Sequence, residues 1–105
     1  MNLTLMREAV AGTVDAYARS QESALAAQRL AGYRHTGTAP IAGKDGVVAD
    51  RELKDSKQRL LVQRQAFLKV DATIVVVTGT APAAETAAMR AAVDAVVSSL
   101  STSAE

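Results

Sequence analysis

The chain has 105 residues, 49% hydrophobic and 22% charged, which suits one globular domain and excludes wholesale disorder. A formal net charge of +1 provides no field for steering nucleic acid or an anionic membrane. The absence of cysteine excludes disulfides, thiol catalysis and zinc–thiolate sites.

With Tyr17, Tyr33 and Phe67 the only aromatics, the core must come from Leu, Val, Met and Ala. Cores of that kind usually lie between closely spaced helices. Arg7 and Glu8 interrupt the apolar residues after Met6, so no signal peptide is legible, and no apolar run reaches the ~18–20 residues of a membrane span. The expected location is the cytoplasm, or outside the cell by export without a cleaved signal peptide.

Residues 3–31 read as a helix. Leu3, Met6, Val10, Val14, Tyr17 and Leu25 share one face, with Glu8, Asp15, Arg19, Glu22 and Arg29 opposite. Gly12 suggests close approach of a second helix, and Gly32 a left-handed C-cap. Residues 32–49 read as a loop, with four glycines, Pro40 and the Asp45-Gly46 pair. Asp45-Gly46 could turn a small hairpin, but Val47-Val48 is too short to supply a sheet.

Residues 50–77, within the longest stretch free of Gly and Pro, are read as the central helix, with Asp50 as its N-cap. Leu53, Leu60, Phe67 and Ile74 recur every seven residues, with Leu61, Leu68 and Val75 beside them. Lys57, Arg64 and Asp71 point between these ridges. They either snorkel or face a carboxylate on the first helix or on another subunit, since an unpaired buried cation costs several kcal/mol. Thr73–Thr78 is also a strand signature. Helix is preferred because no strand of comparable length is visible to pair with it. Pro82 opens a third helix to about residue 100, with Met89, Ala92, Val93, Val96, Val97 and Leu100 on one face. Residues 101–105 form a polar tail.

No motif carries chemistry. His35 stands alone in a glycine-rich stretch without a positioned partner. Gly37 to Asp45 has the wrong spacing for a phosphate-binding loop, and Asp stands where Ser or Thr must meet magnesium. Asp45, Asp50, Glu52 and Asp55 lack calcium-loop spacing and read as acids at a helix start. Arg51, Lys54, Lys57, Arg59 and Arg64 read as a solvated basic face interrupted by acids, which argues against nucleic acid. The expectation is no catalytic, cofactor or metal site.

Gly32-Tyr33-Arg34 after a first helix, with Gln65-Ala66-Phe67 on a later one, resembles the terminal halves of bacterial flagellar rod and hook proteins. The Asn-rich turn of that family is absent, and Leu30-Ala31 stands where it has Thr-Pro. The resemblance implies paired terminal helices and a structural subunit of a flagellar or secreted assembly.

These readings combine into a single all-α domain, 1–105. It is an antiparallel helical hairpin closed by a shorter third helix, a three-helix bundle with a short strand near 73–78 as the alternative. The surface after Phe67 is apolar on more sides than two helices cover, so an interface is expected over Leu60, Leu61, Arg64, Phe67, Leu68, Asp71, Ile74 and Val75. The expected function is a non-catalytic protein-interaction or self-assembly module. Its partner would be a second copy, in a coiled-coil-like homo-oligomer, or another protein. A flagellar or secreted subunit is the alternative, and a weak nucleic-acid-binding accessory protein the second alternative.

Overall fold

The computed structural model describes residues 1–9 and 12–103. The chain runs through β1 (Asn2–Ala9), α1 (Val14–Ala27), β2 (Arg34–Pro40), β3 (Gly46–Lys54), β4 (Leu60–Val70), β5 (Thr73–Pro82), a 3₁₀ turn (Ala83–Glu85) and α2 (Thr86–Ser103). The strands form one antiparallel sheet in the order β1-β5-β4-β3-β2. Strands β2 to β5 are a meander of consecutive hairpins, and β1 closes the far edge on β5.

The pattern in the residues is a period of two. Along β4 and β5, Phe67, Ile74 and Val76 point to one face, where Val14, Ala18 and Tyr17 of α1 pack with Val47 and Ala49. Their neighbours Ala66, Leu68, Val75 and Val77 point to the other face, under Met89, Val93 and Val97 of α2. A central strand buried on both faces reads as a continuous apolar run, as Ile74–Val77 does. Alternation therefore does not show there.

Turns punctuate the meander where residues tolerate a left-handed backbone: Gly43 (φ 73°) between β2 and β3, Gln58 (φ 62°) between β3 and β4, and Asp71 (φ 55°) between β4 and β5. The β3–β4 turn is organised by Asp55, whose Oδ1 accepts from the backbone N–H groups of Arg59 and Lys57 while Oδ2 accepts from Arg59 Nε. These bonds, from the Arg59 N–H above all, hold the Asp55 carboxyl below its ordinary range.

The helical-bundle and coiled-coil expectation is thus overturned: the fold is α+β. The span 3–31 divides into β1 and α1. Gly12 (φ 111°) lies in the connection between them rather than inside a helix, and Val10 lies outside the described residues. The span 32–49 holds β2 and the start of β3, so the Asp45-Gly46 region does turn a hairpin. The span 50–77 holds the rest of β3, all of β4 and the first part of β5. The recurrence at seven arose across two turns: Leu53 and Leu60 sit at the ends of paired strands, and Phe67 and Ile74 on the same face of neighbouring ones. Thr73–Thr78 is strand, and β4 is a partner of comparable length. The third helix is present as α2, and it continues through Ser101–Ser103 where a tail was expected; residues 104 and 105 lie outside the described residues.

Candidate functional site

The sheet places a row of polar residues on its α1 face, above the apolar patch under that helix. Arg51 is fully buried there, and its guanidinium makes four hydrogen bonds. Nη2 lies 2.7 Å from Glu22 Oε1 and Nε 3.4 Å from Oε2, while Nη1 donates to the side-chain carbonyls of Gln63 and Gln65. The amides of Gln63 and Gln65 donate onward to Thr80 and Thr78, each at 3.1 Å. Tyr33 donates its hydroxyl to Glu22 from the other side. The register makes this arrangement: Arg51 is opposite Gln63 and Gln63 opposite Thr80, with Gln65 opposite Thr78 in the next same-face row.

Helix α1 starts at a local cap and is fixed over this face at two points. Thr13 Oγ1 accepts from Ala16 N–H as its N-cap. Tyr17 packs edge-on against Phe67, with ring centroids 5.9 Å apart, and donates its hydroxyl to Glu8 Oε2 at 2.6 Å. That bond, with burial and the adjacent negative charge, pushes the phenol up to about 12. Glu22 makes the second attachment, through Arg51. Between α1 and strands β2 and β3 lies a cleft of about 230 Å³, lined by Asp15, Ala18, Arg19, Glu22, His35, Thr38, Val47 and Ala49. His35 is hydrogen-bonded to Thr38 across 2.7 Å on the β2 wall.

Strand β1 is exposed along all eight residues. It pairs with β5 on its inner side and ends the sheet on its outer side. Leu3 (41% exposed), Leu5 (49%) and Met6 (50%) lie on it, Leu3 and Leu5 on the α2 face and Met6 on the α1 face.

The residues proposed from the sequence as an interface are placed as follows. Phe67, Leu68, Ile74 and Val75 are buried within the single chain, so the apolar surplus after Phe67 is absorbed by one helix on each face of the sheet. Leu60 is exposed and Leu61 half-buried at the start of β4, and Asp71 is exposed in the β4–β5 turn. Arg64 does face carboxylates, on its own chain: Asp50 of β3 at 2.9 Å and Asp94 of α2 at 3.2 Å. The Asp50 hydrogen bonds, with Asp94 adding to them, hold the guanidinium above its ordinary range. Arg90 Nε lies 3.5 Å from Asp50, too long for a good hydrogen bond. Lys57, Arg64 and Asp71 are therefore two turn residues and one strand residue, not a line on a helix. Gly32-Tyr33-Arg34 leads into β2 and Gln65-Ala66-Phe67 lies in β4, so the helix pair implied by the flagellar resemblance does not form there.

The sequence pattern does not mark Arg51 and Glu22, which read as solvated residues of helix faces. A helical reading also passes over Gln63, Gln65, Thr78 and Thr80, whose alternation with Val62, Ala66, Val77 and Ala81 is the available signal. Among the described residues no group of acids and histidine is placed to hold a metal ion, and no helix is long and apolar enough to cross a membrane.

No family model matches the chain, and no curated protein matches it in sequence. Among solved structures it is similar to PA94 of Pseudomonas aeruginosa, a protein of unknown function described as a candidate regulator. The TM-score is 0.67 at 20% identity, over 90% of this chain and 67% of that one, a likeness that extends to the fold alone.

Proposed function

We propose that this chain is a non-catalytic protein-interaction module that docks a polypeptide by strand addition along β1. The observation that carries the reading is the outer edge of β1: eight extended, exposed residues at the end of a sheet, with Leu3, Leu5 and Met6 beside the open backbone. An extended segment placed there gains main-chain hydrogen bonds from the edge and side-chain contacts on alternating faces. The self-assembly version has β1 of a second copy as that segment.

Selection of extended peptides from a random library, followed by amide hydrogen exchange on the complex, tests this. Binding should slow exchange at alternate β1 residues, and Leu5→Lys should abolish it. In the self-assembly version the same protection rises with protein concentration, alongside a dimer in sedimentation. Peptides that bind while β1 exchange stays unchanged would overturn the assignment.

A further inference from the structure

We propose that the cleft between α1 and strands β2 and β3 binds a small zwitterion with a compact aliphatic body, such as a free amino acid. The site shares no residue with β1, so it stands apart from the docking reading above.

Its floor is made of small apolar side chains, Ala18, Val47 and Ala49, all buried. Their small size leaves the space above them open. Along the α1 wall, Asp15, Arg19 and Glu22 follow one another at helical spacing and face the cleft. Glu22 is already neutralised by Arg51. Asp15 and Arg19 are different: neither has an ion-pair or hydrogen-bond partner among the described residues. They are four residues apart on one helix face, where opposite charges commonly pair with each other. The cleft thus presents one carboxylate and one guanidinium of unspent charge above an apolar floor, with the His35–Thr38 pair on the opposite wall.

Complementarity follows. An ammonium group meets Asp15, a carboxylate meets Arg19 with His35 across from it, and an aliphatic side chain rests on Ala18, Val47 and Ala49. The space of about 230 Å³ equals that of about eight water molecules at ~30 Å³ each in the liquid, which is room for a ligand the size of valine. Charge-assisted contacts of this kind are the stronger hydrogen bonds, and the guanidinium fork matches a carboxylate geometrically.

The test is a titration of the full chain with L-valine at millimolar concentration, followed by amide chemical shifts. Shifts are expected in residues 15–22, 35–38 and 47–49. Asp15→Asn and Arg19→Gln, both exposed and unpaired, should fold normally and each weaken binding about tenfold, the loss of one charge-assisted contact. N-acetylvaline should lose the Asp15 contribution and valinamide the Arg19 contribution, while Leu5→Lys leaves the titration unchanged. Absence of shifts with L-valine, or affinity in both charge variants unchanged from that of the unsubstituted chain, would overturn the proposal.

Discussion

Glu22 and Arg51 join α1 to β3 through a two-pronged contact, 2.7 Å at Nη2 and 3.4 Å at Nε, around a guanidinium with no exposed surface. Burial makes this pair asymmetric. Removing the carboxylate leaves an uncompensated charge inside the protein, whereas replacing both partners with apolar groups does not. Glu22→Gln should therefore destabilise the chain by about 3 kcal/mol in urea unfolding. Glu22→Leu with Arg51→Met should cost much less. Equal losses would show that the pair acts through packing alone.

Gly79 supplies the space that α2 needs. A Cβ at this position would lie 2.6 Å from Val93 Cγ2 and 2.9 Å from Met89 Sδ. Both contacts belong to fully buried side chains, so relief requires moving α2 off β5. Gly79→Ala should cost about 1–3 kcal/mol by thermal or chemical unfolding, as overpacked sites do. Gly37→Ala, where an added Cβ meets nothing within 4 Å, is the control and should be near neutral.

Tyr17 gives the fold an alkaline limit. Its folded phenol titrates at about 12 against 10.0 for the free group, so the neutral form is favoured in the native state. Above the unfolded value the unfolded chain has lost the proton and the native chain has kept it. The native state then binds more protons, and stability falls as pH rises. The contribution is complete below pH 10 and is lost progressively towards 12. Tyr17→Phe should remove that decline from stability measured between these pH values. An unchanged slope would place its origin elsewhere.

Arg64 draws Asp50 and Asp94 together, one from β3 and one from α2. Its side chain is 19% exposed, as is about as much of Asp50 (17%), so the coupling between these two should exceed that of an open surface pair. A double-mutant cycle of Arg64→Met with Asp50→Asn should give a coupling of about 1 kcal/mol, and the same cycle with Asp94→Asn, 58% exposed, a smaller one. The reverse order would mean that the clamp on α2 dominates.

The legible parts of the fold were those with one strong local signal. The α2 stripe Met89–Val93–Val97 is a simple helical face, and it survives with all three residues buried. The strand chemistry of Thr73–Thr78 is also visible. Its partner β4 is hidden: Leu60–Val70 carries Gln63, Arg64, Gln65 and Lys69, polar residues that interrupt the apolar run, and a spacing of seven offers a helical explanation for what remains. Beyond Thr13, the boundary between β1 and α1 lacks a proline or a charge run, so two elements merged into one amphipathic pattern. The Arg51 network was beyond reach for another reason. Glu22 and Arg51 are brought together by α1 crossing the sheet, and a basic residue flanked by Asp50 and Glu52 looks solvated until that crossing is known.

The position of β1 in the sheet sets an order of events during folding. Strands β2 to β5 pair with their neighbours in sequence through short turns, whereas Ala9 must find Thr73 and Asn2 must find Thr80. Closing so long a loop is slow compared with forming local hairpins. The first of the five strands in sequence is therefore expected to settle last, with Leu3, Leu5 and Met6 unsheltered until β5 is in place. Truncations within β1, such as Leu5→Ala, should accordingly speed unfolding with little change in the folding rate.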